Sequence, residues 1–283
     1  MSGAVLPIGV FDSGVGGLTV LRELRTKLPA DEFIYLGDTA RLPYGTKSAA
    51  TVVRYSLQCA AALVGRQIRC LVVACNTASA SALPALRLQY PQIPVIGVIE
   101  PGAAAAVAAS AVQHIAVIAT EGTIAGGAYQ DAIHRRSART RVTSRACSLF
   151  VAMAEEGWTE GPIAEAVAHR YLDPLFELAG APDTLVLGCT HFPVLAPAIR
   201  AVLPPHIRIV DSAATTAAAV LRQLSAGEAT AGEATVAAAT AADRSASGRV
   251  IWLATDGAAR FARVGSRFLG ESLRESDVEI IDL

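Results

Sequence analysis

Short runs of apolar residues alternate along the chain with longer segments whose apolar positions recur every three or four residues. The apolar run from Ile8 ends in a glycine-containing turn, and the following segment places Leu18, Leu21, Leu24 and Leu28 on one helical face. Short apolar runs bounded by turn residues predict buried strands, and the periodic segments predict helices. Because strands and helices alternate, the pattern predicts an α/β protein with mostly parallel sheets.

The same pattern begins again after Pro101, which indicates an internal repeat. The segment "IGVFDSG" is matched by "IAVIATEG", "VVACNT" by "VLGCTH", and "IPVIGVIE" by "HIRIVDS". Matches in the same order favour a real duplication over chance resemblance between strand ends. Ligands of such sheets bind beyond the carboxyl ends of the strands. We therefore predict two pseudo-symmetric, doubly wound α/β domains with the active site in the cleft between them.

The predicted first domain is discontinuous. Residues 1–99 form its first part, residues 100–211 form the second domain, and residues 212–283 have no counterpart within the repeat. Because this last segment contains the late apolar run "VIWLAT", we expect it to return and complete the first domain. Within it, residues 225–248 are rich in alanine, glutamate and threonine, which predicts a variable, mobile surface insertion.

Composition and charge narrow the class of ligand. The 283 residues are 52% hydrophobic and carry a formal net charge of −1. The basic residues are scattered, so nothing suggests a nucleic-acid or anionic-lipid surface. The most apolar long stretch, residues 101–120, contains Gln113 and His114, which argues against a membrane span, and the N-terminus lacks a signal-like segment. We predict a cytoplasmic enzyme with a small-molecule ligand and no nucleic-acid or membrane partner.

Four of the five cysteines fall into two groups. The five are odd in number and show no CxxC spacing, so we expect reduced thiols. Cys59 and Cys70 lie in apolar patterns and are expected to pack in the core. Cys75 and Cys189 instead each follow an apolar strand and precede a helical segment, where the helix dipole favours a thiolate. Two thiols on opposite walls of a cleft can take a proton from one face of a carbon and deliver one to the other.

Simpler interpretations of these turns remain open at this point. Asp12 could cap the helix near Leu18, "GVGG" and "PYG" could be ordinary turns, and Thr120 could cap a helix. His191 could be a structural donor, and the two thiols could be buried small hydrophobic groups.

Other classes of function fit the sequence poorly. A nucleotide-binding loop would place Lys where Val15 stands. A zinc hydrolase could use Cys75, Cys189 and His191, but their spacing matches no zinc pattern, so no metal is predicted.

Five motifs in order carry a family resemblance. They are "VFDSGVGG" from Val10, "LPYG" from Leu42, "ACNTASA" from Ala74, "ATEGT" from Ala119 and "LGCTHFP" from Leu187. Together they closely resemble the glutamate racemases of the aspartate/glutamate racemase family, collinearly over nearly the whole chain. The resemblance implies cofactor-independent interconversion of L- and D-glutamate, supplying D-glutamate for peptidoglycan, and is compatible with a homodimer. A related aspartate or hydantoin racemase, or a decarboxylase of the same plan, is the alternative.

The resemblance also implies roles for individual residues. Cys75 takes the α-proton of D-glutamate and Cys189 that of L-glutamate. Asp12 assists the first thiol and His191 the second, while Glu155 lies in "FVAMAE", which differs from the family segment at two positions. Hydroxyls, amides and N–H groups suit the two carboxylates of the substrate. The implied substrate-binding residues are Asp12, Ser13, Pro43, Tyr44, Gly45, Asn76, Thr77, Thr120, Thr190 and His191.

No cofactor is predicted. A Schiff-base enzyme needs a lysine in its site, and the only lysines, Lys27 and Lys47, do not follow the paired strands. The weakly acidic α-carbon must then be activated by a dry, hydrogen-bonded site that stabilises developing negative charge.

Overall fold

The computed structural model of the protein describes residues 5–177, 180–230 and 248–283. In its first part, strands and helices alternate as the apolar pattern predicts. Strands β1 to β3 are buried at every position, as expected of parallel strands covered by helices on both faces. The bounds are β1 (Ile8–Asp12), α1 (Leu18–Lys27), β2 (Phe33–Gly37), α2 (Ala49–Val64), β3 (Cys70–Val73), α3 (Asn76–Gln89), β4 (Val95–Gly97) and α4 (Ile99–Ala109).

The second part repeats this plan with more helices. Its elements are β5 (His114–Ala119), α5 (Glu121–Ala125), α6 (Ala128–Arg136), β6 (Arg141–Ala146), α7 (Leu149–Glu156), α8 (Pro162–Phe176), β7 (Thr184–Gly188), α9 (Ala196–Val202), β8 (Arg208–Asp211) and α10 (Ser212–Thr230). The chain then continues through β9 (Val250–Ala254), α11 (Ala258–Leu269) and β10 (Val278–Ile280).

Three local features differ from the sequence pattern. Two short helices, α5 and α6, follow β5, because Gly127 between them adopts a φ of 64°, in the left-handed region that favours glycine. The apolar pattern predicts neither strand β6, because "RVTSRA" is polar and only half-buried, nor helix α7. Helix α10 reaches Thr230, so the start of the predicted insertion is helical. The rest of that insertion, up to residue 247, lies outside the described residues.

The strands form two parallel sheets that share one order. The six-stranded sheet runs β10-β9-β2-β1-β3-β4, and the four-stranded sheet runs β6-β5-β7-β8. If β1 to β4 are matched in turn with β5 to β8, the common strands have the same order in both sheets. This confirms the prediction of two pseudo-symmetric α/β units with parallel sheets.

The late strands complete the first sheet. Strand β9, which contains most of "VIWLAT", pairs with β2, and β10 pairs with β9. Helix α10 packs against α1 and α4 on its way back from the second sheet. These placements support our proposal that residues 1–99 and 212–283 form one domain and residues 100–211 the other. Within the described part of the chain, no helix is long and apolar enough to cross a membrane.

Candidate active site

Cys75 and Cys189 occupy equivalent corners of the two sheets. Cys75 follows β3 and caps α3, and its Sγ accepts a hydrogen bond from the N–H of Ala78 at 3.4 Å. Cys189 follows β7 and precedes a short 3-10 turn over Phe192–Leu195. Each residue is 5% exposed. Both thiols therefore lie beyond the carboxyl ends of parallel strands, where open α/β sheets bind ligands.

The two thiols line one cavity of about 280 Å³, which suits a ligand of amino-acid size. The predicted site residues that line it are Ser13, Pro43, Tyr44, Gly45, Cys75, Asn76, Thr77, Thr120, Glu155, Cys189, Thr190 and His191. Asp12 is the one predicted residue that does not line the cavity. It is 1% exposed and lies behind the wall that carries Cys75.

The glycine-rich turn after β1 lets the two halves of the site meet. A Cβ atom on Gly16 would lie 2.4 Å from His191 Nδ1 and 2.5 Å from Thr190 Oγ1. The Thr19 hydroxyl also donates to the backbone oxygen of Thr190 at 3.1 Å. The "GVGG" segment is thus more than a tight turn, because Gly16 gives space to the residues that follow Cys189.

On the Cys75 side, a buried carboxyl group accompanies the thiol. Oδ2 of Asp12 accepts the Gly14 N–H at 3.0 Å, and Oδ1 has no hydrogen-bond partner among the described residues. The cap of α1 is Gly17, without any side-chain bond, so the interpretation of Asp12 as a helix cap is wrong. Burial raises the pKa of Asp12 above its ordinary value.

The thiol of Cys75 is held in its neutral form. Burial, with a further contribution from Asp12, raises the pKa of Cys75 to about 12, although the Ala78 N–H opposes the shift. The Sγ donates to Ser13 Oγ at 3.6 Å. The Ala78 N–H at the start of α3 lowers the pKa of Cys75, as expected of a helix N-terminus, but the desolvation of the buried sulfur outweighs this one donor.

On the Cys189 side, a chain of charged groups leads away from the thiol. His191 Nδ1 lies 3.9 Å from Cys189 Sγ, and Nε2 lies 3.1 Å from Glu155 Oε1. Arg260 Nη2 donates to Glu155 Oε2 at 2.8 Å. Burial opposes a charge on His191, but its hydrogen bonds to Cys189 and Glu155 raise the pKa of its ring to about 10. Burial likewise opposes a charge on Glu155, but His191 and Arg260 lower its pKa to about 2.

Hydroxyl groups from both halves meet on another wall of the cavity. Thr77 Oγ1 lies 3.0 Å from Thr120 Oγ1 and 3.2 Å from Thr123 Oγ1. Thr120 also caps α5, as its simpler interpretation predicts, by accepting the Thr123 N–H at 3.4 Å. A Cβ atom on Gly45 would lie 2.8 Å from Thr120 Cβ, so the "PYG" turn packs directly against this group. The result is a set of neutral donors suited to a carboxylate.

Some site residues were not apparent from the sequence. One of them is Arg260, which contacts Glu155, and the signal available for it is its position soon after the late strand β9, at the carboxyl edge of the first sheet. Thr123 ends the motif "ATEGT" and could have been included with Thr120. The cavity is also lined by Gly14, Leu42, Thr46, Ser148, Val151 and Ala152.

Lysine and metal-ligating side chains decide whether the site could hold a cofactor or a metal ion. Lys27 ends α1 and Lys47 follows the turn at Tyr44, and neither lines the cavity. In the portion of the chain that is described, no cluster of three or more His, Cys, Asp or Glu side chains is placed to hold a metal ion.

Comparison with known proteins identifies the family. A model of the Asp/Glu/Hydantoin racemase family matches residues 8–220. The glutamate racemase of Geobacter metallireducens is 51% identical over 266 residues, which are 94% of this chain and 93% of that protein. The crystal structure of the Francisella tularensis glutamate racemase in complex with D-glutamate is 34% identical, with a TM-score of 0.84, and covers 98% of this chain and 97% of that one. The Thermus thermophilus glutamate racemase structure is 40% identical, with a TM-score of 0.83 and the same coverage of 98% and 97%. The protein therefore belongs to the Asp/Glu/Hydantoin racemase family.

Proposed function

We propose that the protein interconverts L- and D-glutamate, with Cys75 and Cys189 as the two acid/base groups. The observation that carries this proposal is the position of two buried thiols at equivalent strand ends on one small cavity. The 51% identity to a glutamate racemase over most of the chain favours glutamate over the aspartate and hydantoin substrates of other family members.

The polar groups of the cavity suit a small dicarboxylate. We assign substrate binding to Asp12, Ser13, Pro43, Tyr44, Gly45, Asn76, Thr77, Thr120, Thr190 and His191. Most of these residues offer neutral hydroxyl, amide or backbone N–H donors, which can satisfy carboxylate oxygens. Asp12 does not line the cavity and contributes from behind the Cys75 wall, where its Oδ2 holds the N–H of the cavity-lining Gly14.

In the direction from D- to L-glutamate, Cys75 acts as the base. The Cys75 thiol first passes its proton to the Asp12 carboxylate, whose raised pKa favours this transfer. The resulting thiolate removes the α-proton, leaving a carbanion and a neutral Cys75 thiol. The Cys189 thiol then delivers its proton to the opposite face, and its negative sulfur is stabilised by the charged His191 ring 3.9 Å away.

In the direction from L- to D-glutamate, the roles are reversed. The Cys189 thiolate, beside the protonated His191, removes the α-proton, and the neutral Cys75 thiol delivers a proton to the other face. Asp12 then returns its proton to the Cys75 sulfur, which reverses the first step of the other direction. The raised pKa of Cys75 keeps its thiol protonated, so a proton is present for this role. Glu155 acts through His191, because its carboxylate keeps the imidazole ring charged.

We further propose that no cofactor takes part. The carbanion is stabilised by hydrogen bonds from the preorganised donors that line the cavity. We propose a cytoplasmic role in supplying D-glutamate for peptidoglycan. Assembly as a homodimer stays a prediction.

The direct test is chiral analysis of purified protein incubated separately with L-glutamate, D-glutamate, L-aspartate and a substituted hydantoin. We expect both glutamate enantiomers to reach a racemic mixture, with aspartate and hydantoin left unchanged. Activity should survive dialysis against hydroxylamine and against a metal chelator. Failure to convert glutamate in either direction rejects the proposal, and faster conversion of aspartate or hydantoin replaces it with the alternative.

An experiment in heavy water distinguishes a mechanism with two opposed thiols from one in which a single base serves both faces of the α-carbon. With two thiols, the product carries a solvent-derived α-deuterium from the first turnovers, while unreacted substrate keeps its hydrogen. Proton NMR of each enantiomer after chiral separation at low conversion measures this. Equal early labelling of substrate and product would contradict the placement of Cys75 and Cys189 on opposite faces.

A further inference from the structure

Tyr129 is a buried tyrosine that no step of the proposed reaction uses. It lies in the first turn of α6 and is fully shielded from solvent. Its hydroxyl donates to Oδ1 of Asn76 at 2.8 Å. Asn76 follows Cys75 directly, lines the cavity and is 2% exposed. One hydroxyl group thus connects the second domain to the residue that follows the first thiol.

The amide of Asn76 has two possible orientations, and only one suits a carboxylate. A carboxylate accepts hydrogen bonds and donates none, so the amide must turn Nδ2 toward it. Oδ1 then points away and needs a donor, because an unpaired buried carbonyl is costly. The Tyr129 hydroxyl is that donor, while Nδ2 has no partner among the described residues. This step rests on the proposed function, since it takes the ligand to be an amino-acid carboxylate.

We propose that Tyr129 is a positioning residue for substrate binding, acting through Asn76. Its hydroxyl holds Oδ1 and so keeps the two N–H bonds of Nδ2 available to the substrate. Burial raises the pKa of Tyr129, which keeps the group protonated and able to donate.

The surroundings of Tyr129 fix its ring firmly. A Cβ atom on Gly188, just before Cys189, would lie 2.9 Å from Cε2 of the ring. A Cβ atom on Gly102, in α4, would lie 3.3 Å from the hydroxyl oxygen. The side chain of Ser212, at the start of α10, lies close enough to lower the pKa of this hydroxyl, against the larger effect of burial. Helices α4 and α10 are the two connections between the sheets. Tyr129 therefore links the orientation of the Asn76 side chain to both of these connections.

The test is Tyr129→Phe, which removes the hydroxyl and keeps the ring. We expect KM for both glutamate enantiomers to rise about tenfold, as for one lost hydrogen bond in a charged complex, with kcat changed less than about threefold. Tyr171→Phe is the matched control, because its hydroxyl accepts the Leu149 N–H rather than facing Asn76. It should leave KM unchanged. An unchanged KM in Tyr129→Phe overturns the proposal.

A double-mutant cycle separates positioning from a merely structural role. If Tyr129 acts only through Asn76, Tyr129→Phe should change KM less than about twofold in an Asn76→Ala background. Full additivity of the two substitutions overturns the proposal.

Gly102→Ala is a second variant for the case in which Tyr129→Phe does not fold. Alanine favours the helix, and its Cβ would crowd the Tyr129 hydroxyl, so KM should also rise. An unchanged KM there would count against the role of Tyr129. A wild-type protein that does not racemise glutamate overturns this proposal together with the proposed function, whereas an active wild type with unchanged variants overturns the role of Tyr129 alone.

Discussion

The two cysteine corners share a backbone plan and differ in their charges. In the repeat, Cys75 corresponds to Cys189, Asn76 to Thr190 and Thr77 to His191. The Cys75 corner is neutral apart from the buried Asp12, and its thiol has a raised pKa. The Cys189 corner carries a connected set of ions, in which a charged imidazole faces the thiol. Duplication therefore accounts for the geometry of the site, and later divergence accounts for its electrostatics.

This difference has a chemical reason. A two-thiol racemase needs one sulfur protonated and the other deprotonated when substrate binds, and two identical corners would not set that choice. The enantiomers have equal free energies, so kcat/KM must be equal in the two directions for the wild type and every variant. Asymmetry between the corners can therefore appear only in kcat, KM and isotope effects taken separately.

The largest expected effect comes from removing either thiol. Cys75→Ala and Cys189→Ala should each lower kcat in both directions by about a thousandfold or more, because each direction needs one base and one acid. Cys70→Ala is the control, since Cys70 is buried at the start of β3 and does not line the cavity. Chiral chromatography measures all three variants. Near-normal turnover by Cys189→Ala would show that Cys189 is a core residue and not an acid/base group.

Replacing the group beside each thiol should have the next largest effect. Asp12→Asn and His191→Asn should each lower kcat by about a hundredfold. If Asp12 serves Cys75, its loss makes proton removal from D-glutamate rate-limiting, so α-deuterated D-glutamate should show the larger isotope effect. His191→Asn should show the larger effect with L-glutamate. The same asymmetry in both variants would contradict the division of the two groups between the two thiols.

The sequence predicts the parts of this comparison that depend on local order. The strand ends, the repeat and the two cysteines are local features, because a buried strand followed by a helix leaves its signal in neighbouring residues. Arg260 and Glu155 are more than a hundred residues apart in the sequence, so no local pattern near either residue indicates their contact. The pKa of Cys75 escaped prediction for a similar reason, since its burial depends on residues from several elements.

Glu155→Gln tests the source of the charge on His191. The substitution removes the carboxylate, so the pKa of His191 should fall from about 10 toward its ordinary 6.5. The alkaline limb of the kcat/KM profile should move to lower pH by about one to two units, and activity should fall about tenfold near pH 8.5. A profile that coincides with the wild type would show that Glu155 does not hold the ring charged.

The same variant should change stability in a pH-dependent way. Folding raises the pKa of His191 from 6.5 to about 10, so its contribution is complete below pH 6.5 and is lost as pH rises through about 10. Folding lowers the pKa of Glu155 from 4.5 to about 2, so its contribution is complete above pH 4.5 and is lost as pH falls toward 2. The deficit of Glu155→Gln should thus be largest between pH 4.5 and 6.5, at about 2 kcal/mol, measured by thermal unfolding. A constant deficit up to pH 10 would contradict this assignment.

Arg260→Gln should give the smallest effect. It tests whether Arg260 belongs to the connected set of charged groups that His191 and Glu155 form beside Cys189. The Arg260 side chain is 47% exposed, so water and salt screen its ion pair with Glu155. We expect kcat/KM near pH 8.5 to fall less than about threefold, with the alkaline limb shifted by a few tenths of a unit. Raising the salt concentration to about 0.5 M should remove the difference from wild type. Arg263→Gln, at an exposed position on the same helix, is the control and should show no shift. A shift as large as that of Glu155→Gln would mean that Arg260 is needed to keep the Glu155 carboxylate in place. A profile equal to that of Arg263→Gln would mean that Arg260 does not contribute to the charge on His191.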